Sequence, residues 1–542
     1  MNKFRCLAFG LGLISLSPNL RAQGLLLERL ATSSSTALGH ALCVTPDVDG
    51  DGHPDFVVSS RGPSNEIGRV FVYSGSDFSV MTVLLGAANG ARFGQAVAAV
   101  GDIDHDGFCD LIVGASGESK AYVIRASTGD ILFTLSDSGN GSMGSAVAGA
   151  GDVNADGWPD VLAGAPNYST WQSTVGRAYL YSGFDGSLIR MHEGTQPLQG
   201  AGFKVAGGVD INLDGKSDYL VGDSNHGGAP TAAVRLYSGS NGALMRTFII
   251  FPEPTDFGAC IAFVDDVDGD GKKDVAVGSP GDSTIGQDAG RVDWFSTGTG
   301  LLLRTAYGAS VGASFGTGLG DAGDVNSDGV GDLWVAAPGT SGTWGRIKLI
   351  SGANLSELAS LQGIASGFLP NIAGGVDFNL DGATDLVAGT SGSFRVYTIA
   401  PSRGLAYCSA KTNSQACVPA MDATGTATRS GQDDYHLLAA NELNNKPGIV
   451  IWSRMRGYSP LGGGYLCLAP SIFRRALPSS GGTPTGIDCT GVYDYYLSHA
   501  EMNLLGMLAG DTMYAQVWSR DPGWSPPNNI GLSDGWIFTI GP

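Results

Sequence analysis

The sequence predicts an all-β protein: a seven-bladed β-propeller of four-stranded blades, its N-terminal strand closing the last blade, followed by a small disulfide-containing β-sandwich. Three observations carry this expectation. An acidic nonapeptide of one pattern occurs seven times, at starts separated by 55, 50, 58, 56, 58 and 53 residues, a period that belongs to arrays and propellers. Short β-branched runs ended by Gly or Pro recur in every period without helix-spaced apolar patterns, so each unit reads as strands. Beyond residue 400 the period ends and cysteines gather. The expected organisation is a signal peptide at 1–22, the propeller at 23–400, a linker at 401–406 and the sandwich at 407–542.

The nonapeptides offer oxygen at their first, third, fifth and ninth positions. These are Asp47, Asp49, Asp51 and Asp55; Asp102, Asp104, Asp106 and Asp110; Asp152, Asn154, Asp156 and Asp160; and Asp210, Asn212, Asp214 and Asp218. The last three sets are Asp266, Asp268, Asp270 and Asp274; Asp324, Asn326, Asp328 and Asp332; and Asp377, Asn379, Asp381 and Asp385. A calcium ion takes six to eight oxygens, and alternate residues of a tight loop turn their side chains inward. Gly at the sixth place permits the sharp turn. The backbone carbonyl of the seventh residue can add an oxygen, which leaves its side chain free to vary. Up to seven Ca2+ ions are therefore expected, the four loops with Asn at the third place binding more weakly for their lower charge.

An EF-hand would require a Glu at the twelfth place and flanking helices. Here the twelfth residues are Val58, Val113, Ala163, Val221, Val277, Val335 and Ala388, none of them a ligand. Each ninth Asp runs into an apolar stretch such as Phe56-Val57-Val58 or Leu111-Ile112-Val113. The loop thus joins two strands.

Each unit carries further marks. Nine residues before the first Asp stands Phe93, Phe257, Phe315 or Phe368, followed in three cases by Gly94, Gly258 or Gly316. After the apolar run comes Gly164-Ala165-Pro166, Gly278-Ser279-Pro280 or Ala336-Ala337-Pro338. A third strand such as Gly68-Arg69-Val70-Phe71-Val72-Tyr73 and a fourth such as Leu301-Leu302-Leu303 complete the content of a blade. These residues resemble the FG-GAP repeats of the integrin α-subunit propeller, which join a Phe-Gly, a calcium loop and a Gly-Ala-Pro over seven blades. The departures are Leu38-Gly39, Met143-Gly144, Ala201-Gly202 and Phe368-Leu369. Repeat seven stops at Phe394-Arg395-Val396-Tyr397, and Leu25 to Leu30 precede repeat one without a partner. That segment is expected to complete the last blade and remove an exposed edge.

In the C-terminal segment, Cys408, Cys417, Cys467 and Cys489 read as two disulfides with three pairings open. Proximity favours Cys408 with Cys417 and Cys467 with Cys489. Cys43, Cys109 and Cys260 are isolated within blades and are expected as buried thiols. Runs such as Ile449-Val450-Ile451-Trp452 and Tyr514-Ala515-Gln516-Val517-Trp518 indicate sandwich strands. The segment, with Tyr407-Cys408-Ser409-Ala410-Lys411 and Trp518-Ser519-Arg520-Asp521-Pro522-Gly523, looks like a C-terminal domain of secreted proteins from planctomycete-type bacteria.

Lys3 and Arg5, an apolar core from Leu7 to Leu16 and a small residue at Ala22 have the form of a secretory signal, and no later stretch reaches the length of a membrane span. The mature protein is expected outside the cell or at its surface. Gly accounts for 84 of 542 residues, about twice the usual share, as turn-rich β structure requires. The seven loops hold 24 of the 51 acidic residues, and seven divalent cations would bring the formal charge from −20 to −6. The net acidity thus belongs mostly to metal sites, and it argues against a nucleic-acid or anionic-membrane partner.

No catalytic constellation stands out. Gly312-Ala313-Ser314-Phe315-Gly316 has the spacing of a nucleophile elbow, but it overlaps the Phe-Gly mark instead of joining a strand to a helix. The histidines form no His-Glu-x-x-His pair, and His53 and His105 sit inside loops, where they are expected to be solvated. A carboxylate holding calcium is a poor general acid. The favoured function is a calcium-binding adhesion or recognition module without catalysis, for an extracellular protein or glycan. The alternative is a calcium-dependent hydrolase or lyase acting on polysaccharide or lipid. Strand alternation puts the second-to-third connections on the face opposite the acidic loops. Tyr168, Trp171, His226 and Trp344 lie there as candidate ligand-binding residues.

Overall fold

The computed structural model describes residues 24–540 apart from 31–36, 63–65, 224–231, 252–253, 326–327, 340–344, 363–370, 379–383, 399–404, 409–410, 425–426, 430–432, 462–463, 483–487, 509–510, 526–528 and a few single loop positions. The expected signal peptide and most of the expected linker lie outside the described residues, as do His226, Trp344, Asn326, Asn379 and Asp381.

Seven antiparallel sheets of four strands follow one another along the chain. The first strands, Ala37–Thr45, Phe93–Gly101, Ala146–Gly151, Lys204–Val209, Cys260–Val264, Gly318–Gly323 and Ile372–Val376, adjoin one another around the centre. The second strands begin at Asp55, Asp110, Asp160, Asp218, Asp274, Asp332 and Asp385, so each ninth loop residue opens a strand. These strands are buried on both faces: the burial of Asp110–Ala115, Asp160–Ala165 and Asp332–Ala337 is unbroken. Their alternate side chains serve two neighbours, which is why they read as continuous apolar runs.

Seven hydrophobic clusters fill the seven gaps between consecutive sheets. Val57, Val70 and Val72 of the first blade pack with Leu111, Val113 and Tyr122 of the second. On the other side Phe56, Val58 and Tyr73 pack with Val387, Phe394 and Val396 of the seventh. The ring is therefore closed by a core as well as by backbone. Phe93, Phe257 and Phe315 plug such gaps, and the residues that replace Phe, Leu38, Met143 and Ala201, are buried too. The accompanying Gly is required by its backbone: Gly316 has φ +91°, and a Cβ there would lie 2.5 Å from the Arg291 carbonyl oxygen.

The N-terminal strand Gly24–Leu30 pairs antiparallel with Ser393–Thr398 and is the fourth strand of the seventh sheet. The expected closure is thus present, with Glu28 opposite Arg395 and Leu30 opposite Ser393. The propeller is followed by a β-sandwich. One sheet contains the neighbours Pro447–Ser453 and Thr512–Arg520, in register with Trp452 opposite Ala515. The other consists of Ala420–Thr424, His436–Glu442 and Gly491–Tyr496. Trp452, Val517, Leu437 and Tyr493 share the core between them. A short helix, His499–Leu504, was not foreseen; Ser498 caps it by accepting the Glu501 N–H. No helix among the described residues is long and apolar enough to cross a membrane.

Cys417 is bonded to Cys489, their Cα atoms 5.8 Å apart, and Cys467 is disulfide-bonded as well. This corrects both pairings expected from proximity, Cys408 with Cys417 and Cys467 with Cys489. The reason is sheet order: Ala420–Thr424 and Gly491–Tyr496 flank the same antiparallel strand, so they run parallel and the cysteines preceding each meet at one end. The isolated thiols meet the expectation in part. Cys43, Cys109 and Cys260 are free, but only Cys109 is buried.

Two outcomes are expected. Deleting residues 24–30 should leave the edge of Ser393–Thr398 unpaired and cause association visible by light scattering; a monomer of unchanged stability would contradict closure by this strand. Non-reducing peptide mapping should recover Cys417 linked to Cys489. Cys489→Ser, by opening a link with a sequence separation of 72 residues, should destabilise the sandwich by about 2–4 kcal/mol in denaturant titration.

Candidate metal centres

Each acidic loop is built around its ninth residue. All seven ninth carboxylates are fully buried, and in every blade Oδ2 accepts the N–H of the second loop residue. The distances are 2.7 Å from Val48, 2.9 Å from Ile103, 3.0 Å from Val153, 3.0 Å from Ile211, and 2.9 Å from Val267, Val325 and Phe378. Its other oxygen accepts an N–H from the turn between the third and fourth strands, at Gly75, Gly183, Gly239, Thr297 and Gly352. The first carboxylate accepts the sixth-residue N–H, at 2.8 Å from Gly52 and 2.6 Å from Gly271. The fifth accepts the seventh-residue N–H, at 2.9 Å from both His53 and Lys272. These charge-assisted bonds fix the loop before any ion arrives.

In three loops the first, third and ninth carboxylates converge: Asp47, Asp49 and Asp55; Asp102, Asp104 and Asp110; Asp266, Asp268 and Asp274, with one oxygen from each lying within 4.8 Å of the others. Oxygens on opposite sides of a calcium ion, each at about 2.4 Å, are about as far apart. The donor set, all hard oxygen, suits calcium and no soft metal. The fifth residue stands outside these groups; Asp51 accepts the Ser76 hydroxyl at 2.5 Å and that of Ser74 at 3.4 Å. In the Asn loops the amide keeps the loop's shape: Asn154 Oδ1 accepts the Asp156 N–H at 2.8 Å, as Asp49 Oδ1 accepts that of Asp51 at 3.1 Å. What Asn lacks is charge.

Three of the seventh residues, whose type is free to vary, touch the neighbouring blade: His53, Phe108 and Trp158. His53 Nδ1 lies 2.6 Å from the Phe378 carbonyl oxygen of the seventh blade. The Phe108 ring stands where a Cβ on Gly50 would meet it at 3.6 Å, and His105 and Trp158 stack edge-on at 4.7 Å. His105 is exposed, as expected of a loop histidine, while His53 is partly buried; both also touch the adjacent blade. Pattern matching within one repeat could not find these contacts, because each partner belongs to another repeat.

The opposite face holds the aromatic candidates that are described. Tyr168 is half-buried, its ring 3.4 Å beneath the Arg177 guanidinium carbon, so it closes its loop and is no open stacking surface. Trp171 is 90% exposed, on a turn pinned by Thr170 N–H to Ser173 O at 2.9 Å and Val175 N–H to Tyr168 O at 2.9 Å. Ser314 lies in a turn before Gly318–Gly323 and no helix follows it, so the elbow reading finds no support.

Burial pushes the Asp55, Asp160 and Asp274 carboxyls up to about 6 and Asp110 up to about 7, the other loop carboxylates adding to the effect. With the folded value above the unfolded one of about 3.9, the ionised form is penalised. This contribution therefore favours the metal-free fold at low pH and is lost as pH rises from about 4 to about 7. A bound cation favours the ionised form and reverses the sign. Melting curves in calcium and in chelator should therefore diverge as pH rises through about 6 to 7 and converge near pH 5. At about 1 mM calcium and a dissociation constant near 0.1 mM, each occupied site adds about 1.4 kcal/mol; a calcium effect independent of pH would contradict this.

Comparison with known proteins agrees with this geometry. A family model for an FG-GAP-like repeat matches residues 47–113, and one for the FG-GAP repeat matches residues 143–181 and 257–293. Integrin alpha-E of Mus musculus is 33% identical over 203 residues, 34% of this chain and 13% of that protein. Integrin alpha-PS5 of Drosophila melanogaster is 37% identical over 93 residues, 16% of this chain and 9% of that protein. Integrin alpha-4 of Xenopus laevis is 39% identical over 87 residues, 15% of this chain and 8% of that protein. The matched stretches thus span a small part of those relatives' length.

The chain carries FG-GAP repeats, assembled as an integrin α-like propeller of seven four-stranded sheets with an additional β domain after them.

Proposed function

We propose that this protein is an exported recognition module: a propeller stabilised by up to seven calcium ions that binds an extracellular protein or glycan on the face opposite the metal loops, without catalysis. The similarity to integrin α chains and the disulfide in the sandwich support an extracellular setting. The observation that carries the reading is a cavity of about 510 Å³ on that face, lined by residues of the second, third and fourth blades. Gln95, Ser145, Asn167, Thr174, Phe203 and Lys204 line it, a mixture of hydrogen-bonding groups and one aromatic that suits an oriented polar ligand.

Its charge is opposite to that of the chain. The described lining of this cavity, and of the adjoining mouth of the central channel, contains Lys204 and His40 but no carboxylate, although the whole chain carries −20. Arg61 reaches the same mouth through a 2.9 Å bond to Gln95. Burial, then the charges of Arg61 and Lys204, lower His40 to about 4, so it is neutral at pH 7. A neutral or acidic ligand is accepted there and a cationic one is repelled. Trp171 provides an exposed aromatic anchor on the same face.

A glycan array including uronic and sulfated sugars, with a pull-down of surface proteins, tests this. Trp171→Ala should weaken the binding found by about tenfold or more, and Lys204→Glu should remove it for acidic ligands, both at unchanged melting temperature and calcium content. Binding indifferent to both changes would refute this face, and release of reducing ends or fatty acid would favour the hydrolase or lyase reading.

A further inference from the structure

The second blade departs from the others at two adjacent positions. The turn between third and fourth strands starts with a serine in five blades: Ser74, Ser182, Ser238, Ser296 and Ser351. The equivalence is structural, since each donates its N–H to the residue five positions on, as Arg125 does to Asp130 O at 2.9 Å. In the second blade that place belongs to Arg125. Where the others offer a neutral hydroxyl, as Ser74 to Asp51 and Ser351 to Asp328, each at 3.4 Å, this blade offers a full positive charge.

The guanidinium lies within the acidic loop. Arg125 Nε is 2.7 Å from Asp104 Oδ2 and 3.1 Å from Asp106 Oδ2, Nη2 also bonds Asp104, and Nη1 reaches Asp130 at 3.5 Å. Asp104 and Asp106 are the third and fifth residues of the loop, two of its four candidate calcium ligands. Neither counterpart in the other four-Asp loops, Asp49 and Asp51 or Asp268 and Asp270, has an ion pair recorded among the described residues.

The next residue compounds the difference. In four other blades it is Gly75, Gly183, Gly239 or Gly352, whose N–H bonds the ninth carboxylate at 2.9, 3.0, 2.9 and 3.1 Å. A Cβ at those glycines would lie 1.8 to 1.9 Å from a carbonyl oxygen. The fifth blade has Thr297, whose N–H still reaches Asp274 Oδ1 at 3.2 Å; in the second blade the residue is Ala126, and Asp110 Oδ1 is buried without a hydrogen-bond partner. The second loop has lost a neutral donor and gained a cation.

We propose that Arg125 is the built-in cation of the second loop: it holds Asp104 and Asp106 as a metal would, so that this blade closes without calcium and binds it least of the three four-Asp loops. A guanidinium stays charged at any physiological pH. A divalent ion must displace it from two carboxylates and then bear its repulsion at a few ångströms. This rests on reading the other loops as calcium sites.

The test is calcium stoichiometry by native mass spectrometry, with isothermal titration, on the mature chain and on Arg125→Ser and Ser74→Arg. Arg125→Ser should hold one more ion, or tighten one site about tenfold, and should melt lower than the parent in chelator. Ser74→Arg should hold one ion fewer. Equal, non-zero ion counts with superimposable isotherms in parent and variants overturn the role of Arg125 while leaving the calcium reading intact. No ion on any of the three chains overturns the calcium reading and this inference together. If Arg125→Ser does not fold, Ser74→Arg decides: an unchanged count overturns the proposal.

Discussion

The interaction on which the rest of this structure depends is the buried carboxylate at the start of every second strand. A fully buried charge is tolerated only when hydrogen bonds satisfy it, and here Oδ2 always takes the N–H of the second loop residue. In five blades Oδ1 takes an N–H from the turn beyond the third strand, four times from a glycine and once from Thr297. One side chain thereby ties the acidic loop, the second strand and the far turn together. The first and third loop residues are then set around a common point, and the converging oxygens of three loops follow from this.

Around that anchor the blades are joined in two ways. Apolar clusters between consecutive sheets, the Phe of the repeat inserted in several of them, provide the bulk of the burial. On the loop face His53, Phe108 and Trp158 reach across to the adjacent blade. The loop face is structural and acidic, whereas the face beyond the second strands has a cavity with no described carboxylate and an exposed tryptophan. The blades are not equivalent either: Asn at the third place keeps the Oδ1 bond to the fifth-residue N–H and adds an amide donor, as Asn154 Nδ2 to Asp156, and Arg125 brings its own charge to the second.

Sequence alone determined the seven acidic loops, the strands that they join, the Phe-Gly plugs and the closure by Gly24–Leu30, because each is written in a period that repeats locally and in a hydrophobic alternation with one solution. It also located the ninth Asp, though only as a ligand, and not as the hydrogen-bonded centre of its blade. What the tertiary structure decided depends on residues far apart in the chain. Cys417 meets Cys489 because parallel strands share an end, and Tyr168 is sealed under Arg177 instead of facing solvent. His53 finds a carbonyl 325 residues away, and Arg125, an ordinary turn residue by sequence, enters an acidic loop 21 residues upstream. Periodicity encodes which residues belong to a repeat; only the packed ring brings together side chains whose separation along the chain carries no period.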